Sequence, residues 1–292
     1  MKTLGDALRI FGVCLLLSLC SGRVQATLIL NDTFSDGSRT NQSLPNSADW
    51  VVGGPSNNAT VKNGVLNFAD SSGKKATTMA YFNTVDLKVG ESLKLSFNYS
   101  FAQVANADNS FMFGLYDAGT SYQTKDAVGF NNSIFNNYTG YAASGVFGTN
   151  PAGPGLDHIE ARTQTGHDLL DLSTYTEGNT FTQSGAATPG QTYTAWMQIS
   201  RTAEGVIVSS TIGNTSFSQT YSSGMFTQFN AVGIFSNGDA GSFNLDNVKL
   251  DYSSTPEPSS IFALMLLGVT VFGRVLTDWI RRVLPQVLRV AA

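Results

Sequence analysis

Few residues in this chain can do covalent chemistry. Histidine occurs at two positions, His158 and His167. Carboxylates stand beside them, Asp157 and Glu160 in LDHIEAR, then Asp168 and Asp171. Two carboxyl groups flanking a sugar linkage could cleave it, one protonating the leaving oxygen while the other attacks or activates water. The setting points elsewhere. No Ser occupies a nucleophile-elbow motif, and the segment is rich in Gly, Asn, Thr and Pro. These groups read as solvated loop side chains, and the protein reads as a non-enzyme.

Binding chemistry is better represented. Tyr116, Tyr122, Tyr138 and Tyr141 flank or occupy the loop-rich stretch 118–190. Sugars present C–H faces that stack on aromatic rings and hydroxyls that need hydrogen-bond partners. The four tyrosines are therefore the expected carbohydrate contacts. A second expectation concerns calcium. In SFNLDNVKLDY the inward face switches across Asp246-Asn247, which predicts a β-bulge or a strand buried on both sides. A bulge presents carboxylate and carbonyl oxygens, both ligands suited to calcium. Were the terminal strands neighbours, Asp32 and Asp36 could join Asp246 in a metal clip.

The elements that must position these residues are strands. In ESLKLSFNYSF, Leu93, Leu95, Phe97, Tyr99 and Phe101 share one face, with Ser, Lys and Asn on the other. Period two marks a half-buried antiparallel strand. QTYTAWMQISR repeats the pattern, and GVIVSSTIG follows the turn-like Thr202-Ala203-Glu204-Gly205. TLILNDTF, GVLNFA, TTMAYFN, SFMFGLYD and AVGIFSN read the same way, punctuated by turn residues. No segment before residue 259 has a convincing helical period. Many short strands without helices predict an all-β, two-sheet antiparallel sandwich over residues 27–252. The loop-rich 118–190 is either an insertion or a set of long rim loops, where binding usually resides.

The two ends read differently. MKTLGDALRIFGVCLLLSLCSGRVQA has a basic start, a short apolar middle and small residues before Ala26, which predicts a secretory signal peptide over 1–26. Both cysteines, Cys14 and Cys20, fall inside it. The mature chain is then expected to lack disulfides, thiol nucleophiles and Cys-bound zinc. Between Thr27 and Thr255, 10 Lys and Arg face 18 Asp and Glu, a balance of 10 − 18 = −8. No basic patch is available, so nucleic acid is not an expected partner. Charged residues are 13% of the chain, against roughly 25% in soluble domains; its polarity comes from hydroxyls and amides.

At the other end, residues 253–260 form a linker containing Pro256-Glu257-Pro258, and residues 261–280 form an apolar run interrupted by Arg274 and Asp278. Twenty residues of helix span about 30 Å, the thickness of a bilayer core. Arg281 and Arg282 open a basic tail over 281–292, which the positive-inside rule keeps cytoplasmic.

Two resemblances follow. The order of Asn31-Asp32-Thr33-Phe34, Trp50, GVLNFA, FMFGLYD, Gly140-Tyr141, ISRTAEG and FNLDNVKL resembles the concanavalin A-like lectin/glucanase (laminin-G-like) jelly rolls. That likeness implies a jelly-roll sandwich with a carbohydrate-binding face. The Glu-x-Asp-x-x-Glu strand of the glucanases in that group is absent. The Pro-Glu-Pro motif, apolar run and arginine pair are together similar to the PEP-CTERM sorting signal, also called the ice-binding protein C-terminal domain. This similarity implies an exosortase-type processing enzyme as a partner and delivery to the surface or extracellular matrix of a Gram-negative bacterium. The combined expectation is a surface-sorted domain that binds or structures extracellular polysaccharide, with a purely structural matrix protein and a weak glycoside hydrolase as alternatives.

Overall fold

A computed structural model describes residues 25–53, 59–68, 76–102, 110–126, 132–146, 156–163, 169, 174–182, 188–236 and 243–254. The chain divides into two compact units, Ala26–Ser253 and one formed by Met1–Gln25 with Ser254–Ala292. The first carries the fold. Of the expected signal peptide, residues 1–24 lie outside the described residues, while Gln25 and Ala26 belong to the first strand. The Pro-Glu-Pro motif, the apolar run and the basic tail also lie outside them. Among the described residues, no helix is long and apolar enough to cross a membrane.

In chain order the strands are β1 (Gln25–Asp32), β2 (Trp50–Gly53), β3 (Ala59–Lys62), β4 (Val65–Phe68), β5 (Ala76–Asp86), β6 (Glu91–Phe101), β7 (Ser110–Asp117) and β8 (Thr139–Val146). There follow β9 (Leu156–Arg162), β10 (Tyr175–Thr182), β11 (Thr192–Arg201), β12 (Val206–Ile212), β13 (Thr215–Tyr221), β14 (Gln228–Ser236) and β15 (Phe243–Ser254). One eight-stranded sheet runs β13-β12-β11-β6-β15-β4-β3, with β1 also paired to β15. The facing seven-stranded sheet runs β10-β9-β8-β7-β14-β5-β2. Every strand pair with a defined register is antiparallel. Among the described strands the chain crosses between sheets eight times, at β1–β2, β2–β3, β4–β5, β5–β6, β6–β7, β10–β11, β13–β14 and β14–β15, so each sheet interleaves early and late strands. This is the all-β, two-sheet antiparallel sandwich that the alternation predicts, jelly-roll-like as the resemblance implies.

The main core lies between the sheets. From β6 come Leu93, Leu95, Phe97, Tyr99 and Phe101, all buried, meeting Phe111, Phe113 and Leu115 of β7. Phe97 stands edge-on to Phe113 at 5.0 Å, and Tyr99 stacks on Phe111 at 4.9 Å. Each such side chain contributes about 1.5–3 kcal/mol by burial, and this drives the pairing.

A second core covers the outer face of the seven-stranded sheet. Met79, Met112, Tyr116 and Phe235 point outward there and are sealed by Phe135 and Tyr138 from the β7–β8 connection and by Leu169. Sheet residues that alternation would assign to solvent are therefore buried on both faces. At the sheet's centre, Gly114 faces Gly233 across the ladder. A Cβ on Gly114 would lie 2.5 Å from Tyr141 O and 2.7 Å from the Tyr116 hydroxyl, so only glycine admits the packed Tyr116 ring.

The switch across Asp246-Asn247 is present. Phe243, Leu245, Val248 and Leu250 all enter the same core. Asn247 adopts φ +52°, absorbing one extra residue so that the strand keeps its inward face on both sides of the kink.

Candidate functional site

One cleft brings polar and aromatic side chains together at an edge of the seven-stranded sheet. Its volume is about 680 Å³, and its walls are Gln42, Ser43, Leu44, Ala48 and Asp49 on one side and Tyr122, Gln123 and Thr124 on the other. Val51 of β2 and Tyr81, Phe82 and Asn83 of β5 form its floor. That volume falls within the range of small-molecule sites, about 300–1,000 Å³.

The two walls are pinned by an ion pair. Arg39 donates through Nη1 and Nη2 to both oxygens of Asp126, at 3.1 and 2.6 Å, and also to the carbonyls of Trp50 and Ala59. Asp126 accepts in addition from Val52 N–H on the edge strand. Partial burial pushes the Asp126 carboxyl up, but Arg39 and the Val52 N–H outweigh it and hold the group below the ordinary carboxylate range. A bidentate pair of this kind fixes distance and angle together.

A hydroxyl relay holds the second wall. Gln123 N–H donates to the Tyr81 hydroxyl at 2.9 Å. The Tyr81 and Tyr138 hydroxyls are 2.8 Å apart, and Tyr138 donates to Ser121 O at 2.6 Å. Tyr81 must therefore be the donor to Tyr138. Tyr122, between the two anchored residues 121 and 123, stands edge-on to Tyr81 with centroids 5.0 Å apart at 81°. It is 38% exposed, one of four large hydrophobic side chains exposed among the described residues. On the first wall, Asp49 accepts from Gln42 N–H through Oδ1 at 2.8 Å.

The four-tyrosine expectation is corrected by burial. Tyr116, Tyr138 and Tyr141 are each 0% exposed and cannot stack on a sugar. Tyr116 bonds the Tyr175 hydroxyl in the outer core, and Tyr141 accepts from Phe226 N–H in the main core. Burial raises the titration of all three phenols. Of the four, Tyr122 alone lies on the cleft.

The calcium clip is corrected as well. β1 and β15 are neighbours, as the clip requires, but the Asp32 carboxylate is buried and spent on its own chain. Oδ1 accepts from Phe34 N–H, and Oδ2 accepts from the Ser47 hydroxyl, Ala48 N–H and the Trp50 indole. Asp36 accepts from Ser38 N–H. Asp246 accepts from the backbone and side-chain nitrogens of Asn247, with its titration raised by burial. Among the described residues, no group of three or more His, Cys, Asp or Glu could hold a metal ion.

Glu160 and Arg162 of β9 lie beneath the outer core, 1% and 0% exposed. Arg162 donates to the carbonyls of Phe135 and Tyr138 and so closes the loops over the sheet. His158 is on the same strand. The side chain of Asp157, and residues His167, Asp168 and Asp171, lie outside the described residues. What sequence reasoning missed is the Arg39–Asp126 clamp, Tyr81 and Asp49. No local spacing could have linked Arg39 to a partner 87 residues away.

No family model matches the chain, and no curated protein matches it. Among solved structures it is similar to the carbohydrate recognition domain of Emp46p in a potassium-bound form, at 13% identity over 69% of this chain and 87% of that one, TM-score 0.45. It is similar also to a Bacillus subtilis protein of unknown function with a galectin-like fold, at 7% identity over 80% of this chain and 100% of that one, TM-score 0.48. The alginate lyase Aly36B aligns at 13% identity over 77% of this chain and 96% of that one, TM-score 0.45. With every one of these TM-scores below 0.5, the likenesses concern the sandwich and not what this chain binds.

Proposed function

We propose that this chain is an exported, non-catalytic β-sandwich that binds extracellular polysaccharide in the cleft between residues 42–49 and 122–124. The observation that carries this reading is the exposed Tyr122 ring, braced edge-on by Tyr81 and surrounded by amide, hydroxyl and carboxylate groups. A braced ring loses little side-chain entropy on stacking, and the polar wall supplies partners for sugar hydroxyls. A glycan array probed with the full-length chain tests it. Retention of one or more polysaccharides, lost on Tyr122→Ala, is the expected result; no retention on any glycan contradicts it.

The termini support a matching destination. The signal-like N-terminus, Pro256-Glu257-Pro258, the apolar run 261–280 and the pair Arg281-Arg282 favour export, a membrane-held intermediate and exosortase-type cleavage near the Pro-Glu-Pro. The product would reside on the cell surface or in the extracellular matrix. Mass spectrometry of surface-extracted protein should then find no peptide from beyond about residue 258. Recovery of VLPQVLR from that fraction would contradict the proposal.

A further inference from the structure

The charge of the cleft selects among polysaccharides. We propose that the site takes neutral polymers and rejects uronic-acid polymers, with Asp49 as the residue that separates the two classes. This rests on the cleft being the glycan site.

Among the described residues, the lining contains one carboxylate, Asp49, and no Lys or Arg. Arg39, which braces the cleft, is committed to both oxygens of Asp126 and to two carbonyls, with 12% of its side chain exposed. Lys125 follows Thr124 but is not part of the lining. A polyuronate carries a carboxylate on every sugar, and bringing a run of them to an uncompensated Asp49 costs repulsion that no lining cation offsets. The domain as a whole adds to this, with 10 basic against 18 acidic residues between Thr27 and Thr255.

A neutral sugar uses the same groups favourably. Asp49 is exposed, and one of its oxygens is held by Gln42 N–H, which fixes the carboxylate as an acceptor. Hydrogen bonds from hydroxyls to a carboxylate are charge-assisted, about twice as strong as neutral ones. Asn83 and Thr124 add amide and hydroxyl partners, and Tyr122 takes the C–H face. No charge on the ligand enters, so affinity should be nearly independent of ionic strength.

Calorimetric titration of the full-length chain with soluble β-glucan, galactomannan and polygalacturonate, at low and high salt, decides the matter. A neutral polymer should bind at least about tenfold more tightly than polygalacturonate, with little change on adding salt. Asp49→Asn, which keeps an oxygen for Gln42 N–H while removing the charge, should weaken the neutral polymer several-fold and narrow the gap to polygalacturonate. Tighter binding of polygalacturonate, or loss of neutral binding in salt, would overturn this inference and leave the proposed function standing. Binding of neither class would overturn this inference, with the glycan array deciding the proposed function, and neutral binding indifferent to both Asp49→Asn and Tyr122→Ala would show that the site is elsewhere.

Discussion

The indole N–H of Trp50 donates to Asp32 Oδ2 at 2.8 Å, both groups being sealed from solvent. This joins the end of β1 to the start of β2 and makes Asp32 a structural acceptor rather than a metal ligand. Four donors converge on one carboxylate, which offsets the cost of burying its charge.

Asp32→Asn should destabilise the domain by about 2–4 kcal/mol, because an amide presents donors where donors already point. Chemical denaturation measures it. Calcium and chelator should give equal melting temperatures, and a rise with calcium would restore the metal clip.

Tyr138→Phe should weaken glycan binding although Tyr138 never meets solvent. Losing its hydroxyl unpairs Ser121 O and breaks the relay to Tyr81 that fixes the loop bearing Tyr122. The expected stability cost is about 1–3 kcal/mol, with faster proteolysis within residues 119–126. Unchanged affinity and unchanged proteolysis would separate the loop from the relay.

Burial raises the titration of Tyr116, Tyr138 and Tyr175. A phenol whose folded value lies above its unfolded value of about 10 keeps its full stabilising contribution below pH about 10 and loses it as pH climbs toward the folded value. The domain should therefore unfold in strong alkali together with a late wave of phenolate absorbance. Ionisation of all 10 tyrosines near pH 10 without loss of structure would contradict the buried relay.

Gly114→Ala should fail to fold or lose about 1–3 kcal/mol or more, since its Cβ meets backbone at 2.5 Å. A melting temperature equal to the parent's would mean that the Tyr116 ring is not packed over this glycine.

How far the sequence reaches can be seen in β6 and β8. The strict alternation of Leu93 to Phe101 makes β6 legible, because one of its faces is polar. TGYAASGV of β8 is not, because loops cover its outer face and small residues fill both sides. The same covering misdirects the tyrosines: in sequence, Tyr116 and Tyr138 look like rim residues, yet the connection folds back and buries them. The Asp246-Asn247 bulge is legible from its parity switch. The cleft is not, since Asp49, Tyr81 and Tyr122 meet only through tertiary structure.

The most direct measurement is glycan binding by the parent chain and by Tyr122→Ala, with matched circular dichroism spectra as the control for folding. The parent should retain a polysaccharide and the variant should lose about tenfold or more in affinity, in keeping with about 1–3 kcal/mol for a stacking ring. Equal retention by both chains, or none by the parent, would contradict it.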